Sequence, residues 1–209
     1  MLVLTTAVGT VWAAPKKPKD TTELLDHKGA SFNTPEPPWV IAYVTEGGNV
    51  GVEQLPQYKN VYCFVYNYEN ADKDFAVAYA NNANGPSEVA KMISSTVLAD
   101  AKAKIAGVSA GGETAVSAAV EASAHAMSEA SFTGLRKTGD WWRIVRNKKT
   151  KTQTAQAYVL YTIDKKNLDS QIAVNLQNII DNNKELSAAA RSIYLDLIKD
   201  IRGNGFNNR

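Results

Sequence analysis

Two apolar stretches in the second half of the chain have the pattern of a β-hairpin. Residues 140–145 and 155–164 are rich in Trp, Tyr, Val, Ile and Leu, and the polar residues 147–151 between them have the composition of a turn. The first stretch contains the adjacent tryptophans Trp141 and Trp142. We therefore predict two antiparallel strands joined by a lysine-rich turn.

A third strand is predicted at residues 61–68, where the side chains divide cleanly between two faces. One face carries Tyr62, Phe64, Tyr66 and Tyr68, and the other carries Val61, Cys63 and Val65. Both faces are apolar enough to be covered by other elements. The aromatic face would become a partner surface only if it were exposed.

Two other apolar runs are interpreted as parts of the same sheet. Residues 75–80 follow a polar, turn-like stretch and are predicted to return as a strand beside 61–68, although their alanines leave a helix open. Residues 39–44 open the domain, as a first strand or as an element laid across the core.

The middle of the chain predicts two helices. Gly85-Pro86-Ser87-Glu88 has the composition of a helix start. Proline fits the first helical position because a backbone N–H there has no partner within the helix, and the acidic side chain interacts favourably with the positive end of the helix dipole. Apolar residues then recur at helical spacing at Val89, Ile93, Val97, Ala101, Ile105 and Val108. Gly107, Gly111 and Gly112 separate this helix from an alanine-rich one at 113–131.

A long helical region is predicted from about residue 165 to Arg202, where Gly203 and Gly205 end it. Its residues on one face form a seam of apolar side chains with one asparagine, spaced alternately three and four positions apart, at Leu176, Ile179, Asn183, Leu186, Ala190, Ile193 and Leu197. This seam is the core face of one helix, or of two helices broken near 181–183; oligomerisation through it is the alternative. The fold class predicted is α+β, an antiparallel sheet with helices packed on one face and a long C-terminal helical region.

The ends of the chain have a different composition. Residues 1–13 are uncharged and mostly apolar, which predicts a signal peptide cut before Ala14, with a short buried strand as the alternative. Residues 14–38 contain five prolines and few large apolar groups, which predicts a disordered tether. A single α+β domain is predicted at 39–203, and a tail at 204–209.

Composition adds two constraints. The 209 residues carry a formal net charge of +2, which is too mild to require a polyanionic partner, so nucleic-acid binding is not expected. Cys63 is the only cysteine, so it forms no disulfide within the chain and leaves no lipidation site after the signal peptide. We expect it to be an inert core thiol, and membrane association to be at most peripheral or partner-mediated.

Catalytic, metal and cofactor sites are not predicted, since the chain shows no nucleophile elbow, phosphate-binding loop or zinc-protease helix. Glu121, His125 and Glu129 share one helix face, but a solvated face explains them better than a metal site. His27 lies in the predicted tether and is not expected to bind a ligand.

The hairpin supplies the candidate binding surface. Its residues are Trp141, Trp142, Arg143, Arg146, Lys148, Lys149 and Lys151, and Arg136 and Lys137 add to the basic excess against Asp140. Flat rings and cations together suit an anionic glycan or a lipid headgroup. The simpler interpretation is a solvated turn whose lysines discourage edge-to-edge aggregation, and we favour it.

The combined pattern resembles the bacterial outer-membrane lipoprotein family named for its twenty-kilodalton member, which includes flagellar outer-membrane proteins O and P. The resemblance covers about 37–176, and it rests on Pro38-Trp39-Val40, Ala90, Ala99, Asp100-Ala101, Ile105-Ala106, Trp141-Trp142 and Tyr158-Val159-Leu160-Tyr161. It implies a helix-on-sheet fold and a structural, often multimeric, envelope role without enzymatic activity. The missing lipidation cysteine and the extra residues 75–84 depart from the family pattern.

These observations predict a non-enzymatic, secreted structural or assembly protein of the bacterial cell envelope, located in the periplasm, with association to the outer membrane as a further option. Its partners would be envelope proteins, including a second copy of itself. The alternative is a binding module that engages anionic glycan or lipid headgroups through the basic hairpin.

Overall fold

A computed structural model describes residues 21–105, 113–184 and 186–206. The described strands are β1 (Thr22–His27), β2 (Val61–Asn70), β3 (Arg136–Asn147) and β4 (Gln153–Asp164). The described helices are α1 (Pro38–Thr45), α2 (Asn49–Glu53), α3 (Lys73–Asn82), α4 (Gly85–Ile105), α5 (Glu113–Ser128), α6 (Lys165–Asn182) and α7 (Ala188–Asn204). The predicted signal peptide at 1–13 and the glycines Gly107, Gly111 and Gly112 lie outside the described residues.

The strands form one antiparallel sheet in the order β1-β3-β4-β2, which confirms the α+β class. The predicted hairpin is β3 and β4, and its turn is fixed by the Asn147 side chain, which accepts hydrogen bonds from the Lys149 and Thr150 N–H groups at 2.9 and 3.2 Å. Strand β2 pairs with β4 without a register shift, from Val61 opposite Asp164 to Asn70 opposite Ala155.

Two apolar layers cover the sheet. On one face, α3 to α7 pack around Phe64, Val159 and Ile163 in a large core. On the other face, α1 and α2 bring Trp39 and Val52 against residues of β2 and β4 in a smaller core. The prediction that both faces of 61–68 are covered is confirmed, and α1 and α2 add a second layer to the helices predicted on one face.

The outer edge of β2 is closed by side chains of α2. Asn49 Oδ1 accepts from the Val65 N–H at 2.9 Å, and Glu53 Oε1 accepts from the Cys63 N–H at 3.1 Å. An unpaired strand edge invites pairing with another chain. These two bonds therefore occupy two N–H groups of this edge while they hold α2 on the sheet.

One predicted strand is a helix, and the run predicted as a strand or as an element laid across the core is a helix that lies on the sheet. Residues 39–44 lie in α1, which starts at Pro38, a residue that fits the first helical position. Residues 75–80 lie in α3, whose N-cap Asp72 accepts from the Phe75 N–H at 2.9 Å. The strand prediction for 75–80 is wrong because the small alanines Ala76 and Ala80 form a helix face that lies flat on the core.

The prediction of a tether is wrong for Thr22–His27, which forms β1 at the edge of the sheet. Most of these residues are exposed, as expected for a segment with few large apolar groups. The strand is held instead by backbone hydrogen bonds to β3 and by the His27 ring, whose centroid lies 5.4 Å from that of Trp141.

The C-terminal region is two helices, as the interpretation with a break near 181–183 predicted. Helix α6 ends at Asn182, and α7 starts after Ser187, whose hydroxyl accepts from the Ala190 N–H at 3.2 Å. The seam residues Leu176, Leu186, Ala190, Ile193 and Leu197 are buried in the chain's own core. They are therefore not available for oligomerisation through this seam.

Candidate functional site

The two tryptophans of the hairpin lie on opposite faces of the sheet. Trp141 is 4% exposed, belongs to the smaller core, and donates from Nε1 to the Lys28 carbonyl at 3.2 Å. Trp142 packs against the larger core, and the Lys73 ammonium lies 4.9 Å from its ring centroid. They therefore do not form one platform for a flat ligand.

Both arginines of the candidate surface are already paired. Arg143 Nε donates to Gln156 Oε1 at 2.7 Å, and its guanidinium lies 3.5 Å from Glu36 Oε1. Arg146 lies 3.9 Å from Glu23 Oε2 on β1. The acidic partners come from the segment predicted to be a tether, and they offset the basic charge that the hairpin sequence shows.

The lysines at the tip of the hairpin are the part of the candidate surface that faces solvent. Lys148, Lys149 and Lys151 are exposed, and Lys151 has a left-handed backbone with φ of 61°. The seven predicted residues are thus divided between two cores, two ion pairs and one solvated turn. The structure does not bring them together as one binding surface.

The predicted helix face with Glu121, His125 and Glu129 is solvated. Glu121 pairs with Lys102 at 2.9 Å, and His125 Nδ1 lies 3.8 Å from Glu129 Oε1 with both side chains about three-quarters exposed. Within the part of the chain that the structure describes, no cluster of three His, Cys, Asp or Glu side chains could hold a metal ion.

Helix α3 presents an uncharged stripe to solvent, and sequence analysis missed it. The α3 stripe consists of Phe75, Ala78, Tyr79 and Asn82, which are spaced i, i+3, i+4 and i+7. Phe75 is 52% exposed and Tyr79 is 47% exposed, and the stripe lines a shallow depression of about 460 Å³. A strand would have placed Phe75, Val77 and Tyr79 on one face together, so the wrong assignment concealed the stripe.

The two rings of the α3 stripe are held in place by Tyr68 of β2. Tyr79 stacks on Tyr68 of β2 with centroids 4.1 Å apart, and Phe75 lies 6.2 Å from the same tyrosine ring. Phe75 and Tyr79 are near-parallel, at 6.0 Å and 23°. Because Tyr68 fixes both rings, the stripe is a preformed surface that would lose little side-chain entropy on binding.

The two ends of the α3 stripe carry opposite charges. Asp74 lies at the N-terminal end, with its side chain 89% exposed and Lys73 Nζ 3.1 Å away. Lys137 of β3 lies at the C-terminal end, where its ammonium donates to Asn81 Oδ1. The surface is therefore apolar in the middle, has a net charge of −1 at one end, where Asp72 and Asp74 outnumber Lys73, and is basic at the other.

A polar cleft of about 420 Å³ lies where α2, α6 and the end of α7 meet. The Tyr62 hydroxyl donates to Asp169 Oδ1 at 2.8 Å, and the Phe206 N–H reaches both groups, at 2.7 and 2.9 Å. Lys165 Nζ lies 3.7 Å from Glu53 Oε2. These polar groups bind one another and the C-terminal residues, so the arrangement holds the end of α7 on the sheet.

Cys63 is buried, as predicted, and its environment keeps the thiol protonated. Burial is the main cause that raises its pKa from the usual 9.0 to about 12; Glu53 raises it further and Lys165 lowers it. Burial likewise raises the pKa of Tyr158 to about 12. A thiol must lose its proton to act as a nucleophile.

We expect the Cys63 thiol of the native protein not to react with a disulfide reagent at pH 8, and to react fully once guanidinium unfolds the chain. Since the folded-state pKa is raised, this group favours folding below pH 9.0, and its contribution is lost as the pH rises toward about 12. Absorbance of the released thiolate measures the reaction. Fast labelling of the folded protein at pH 8 would contradict the burial.

Comparison with known proteins adds no relative: no family model, no curated protein and no solved structure matches the chain. The resemblance to the twenty-kilodalton lipoprotein family therefore stays a prediction. Of the helices in the described residues, none combines the length and the apolar character that crossing a membrane requires.

Proposed function

We propose that this protein is a non-enzymatic structural or assembly protein of the bacterial cell envelope and that it binds a protein partner through the α3 stripe. The single observation that carries this proposal is that α3 is apolar on both sides. Ala76 and Ala80 are fully buried against the core, while Phe75 and Tyr79 face solvent. Residues 75–80 of α3 are all apolar, and a helix segment that is apolar all round is normally covered on every side.

The chemistry of the α3 stripe supports a protein partner. Aromatic side chains are enriched at the centres of protein interfaces, where rigid rings contribute large contact areas. Ala78 lies between Phe75 and Tyr79, so a partner's backbone can approach the helix closely there. No side chain of the stripe is charged, and therefore covering it removes no charge from water.

The envelope location is supported by the sequence of 1–13, which has the composition of a signal peptide. We infer that the mature protein starts at Ala14, acts in the periplasm and associates with the outer membrane through its partners. The partners are envelope proteins, which include a second copy of the chain.

The test is site-specific photo-crosslinking in cells that produce the full chain. A benzoyl-phenylalanine placed at position 79 should give a crosslinked species of discrete mass in the envelope fraction. The matched control is position 195, because Leu195 on α7 is also 47% exposed. We expect the control to give at least about fivefold less product, since solitary exposed apolar residues are ordinary.

A second variant separates contact from mere proximity. Phe75→Ser should remove most of the crosslink from position 79, because it takes one of the two rings out of the stripe without touching the buried face. Equal crosslinking from positions 79 and 195 would overturn the interaction surface. Recovery of the chain in the cytosolic fraction alone would overturn the envelope role.

The alternative function, in which the hairpin binds anionic glycan or lipid headgroups, loses most of its support in the structure. Trp141 is buried, and the two arginines are paired with Glu23 and Glu36. Binding of an anionic glycan or a lipid headgroup by the lysines at the tip stays a prediction.

A further inference from the structure

We infer that the partner of the α3 stripe is a second copy of this chain, bound so that the two α3 helices cross antiparallel around a two-fold axis near Ala78. The inference rests on the proposed function, because it names the partner of the same surface. Three properties of the surface carry it: its uncharged centre, the position of its small residue, and the charges at its ends.

The uncharged centre allows the surface to meet itself. In a two-fold interface each residue lies opposite a residue of the same patch. A patch with one dominant charge would then repel its copy, whereas Phe75, Ala78, Tyr79 and Asn82 bring no like charges together. Such a face is self-compatible, which most charged helix faces are not.

Ala78 stands midway along the stripe. Asp74 is four residues before it and Asn82 is four residues after it, so each lies about 6 Å along the helix axis from the centre. An antiparallel crossing at Ala78 therefore lets two backbones approach at the small side chain. It also places Phe75 of one copy beside the C-terminal end of the other α3.

The charges at the ends then become complementary. An antiparallel crossing brings Asp74 of one copy to the C-terminal end of its partner's α3, where the partner's Lys137 holds the partner's Asn81. The two-fold axis repeats this contact, so two ends with a net negative charge, where Asp72 and Asp74 outnumber Lys73, face two lysines. A parallel arrangement would instead bring the two acidic ends together and the two basic ends together.

The size of the surface indicates a weak dimer. Helix α3 has 10 residues, which gives a length of about 15 Å. A contact of this length buries less area than standard stable interfaces do. We therefore expect a dissociation constant of roughly 10–100 μM, which becomes relevant at the high local concentrations of an assembly.

Charge reversal tests the antiparallel arrangement. In sedimentation equilibrium of the full chain, Asp74→Lys should weaken self-association by about tenfold or more, and Lys137→Asp should do the same, because each creates two like-charge contacts. The double variant D74K/K137D should restore association to within about threefold of the original, since the pairs are then reversed but complementary. Raising the salt concentration should reduce all of these differences.

The control is a charge change outside the α3 stripe. Lys149→Asp at the hairpin tip changes the net charge by the same amount as Lys137→Asp and should leave association unchanged; circular dichroism verifies that each variant is folded. A chain that stays monomeric at 1 mM would overturn the inference, and so would a double variant as weak as the single ones. If position 79 then crosslinks to a different envelope protein, the proposed function stands and only the second copy is excluded.

Discussion

Replacing Phe206 by alanine is expected to lower the melting temperature of the protein by roughly 10 °C. The Phe206 ring is 4% exposed and meets the Tyr62 ring edge-on, with centroids 5.7 Å apart. Loss of a buried phenylalanine costs about 3–5 kcal/mol through lost burial and the cavity that remains. Thermal unfolding followed by circular dichroism measures the change.

The expected effect comes from the loss of the Phe206 ring, because the backbone hydrogen bonds of this residue do not depend on its side chain. The Phe206 N–H donates to Tyr62 and Asp169, and the alanine variant retains that group. Leu195→Ala on α7 is the control, because a side chain that is 47% exposed loses little burial and should shift the midpoint by about 2 °C or less. Equal shifts in the two variants would show that the C-terminal residues do not pack on the sheet.

Elements with a sustained run or period of apolar residues, or with a local helix-start signal, were predictable. The strands at 61–68, 140–145 and 155–164 and the helix that starts at Gly85 are present in the structure. Residues 75–80 were not predictable by the same means, because every second residue is alanine and the larger residues alternate as they would in a strand. The N-cap Asp72 was the local signal for a helix, and it outweighs the alternation.

Strand β1 was missed for a different reason. It is exposed along almost its whole length, so no periodicity of apolar residues marks it. Its stability comes from pairing with β3, a contact between residues more than 100 positions apart. Backbone pairing of this kind does not depend on side-chain pattern, and therefore the composition of the segment could not reveal it.

The directions of the two tryptophan side chains in the candidate site follow from their consecutive positions in a strand. Trp141 and Trp142 are adjacent in β3, so their side chains must point to opposite faces, and the predicted strand already excluded a shared platform. The acidic partners of Arg143 and Arg146 lie in the chain before residue 37. Only the folded chain brings those carboxylates to the hairpin, so the net basic charge of the surface could not be judged from the hairpin alone.

Gly85→Ala at the start of α4 is expected to destabilise the protein by about 3 kcal/mol, with a midpoint roughly 5–10 °C lower. A Cβ on Gly85 would overlap the hydroxyl oxygen and the Cζ atom of Tyr161. Tyr161 is 7% exposed in the middle of β4, so its ring has little free space to move into. Urea unfolding gives the change in free energy.

Two comparisons show whether this effect comes from the contact with Tyr161. Gly203→Ala in α7 is the matched control, because no heavy atom lies within 4 Å of the added Cβ, and the better helix propensity of alanine should leave stability unchanged or raise it by up to about 1 kcal/mol. In a Tyr161→Leu background the shorter side chain makes room, so Gly85→Ala should cost at least about 1 kcal/mol less than in the original chain. Equal costs in both backgrounds would place the strain in the backbone of the α4 start rather than against the ring. A reduced cost would show that Gly85 allows the first turn of α4 to approach β4 closely, and that this approach sets the distance between the helix layer and the sheet.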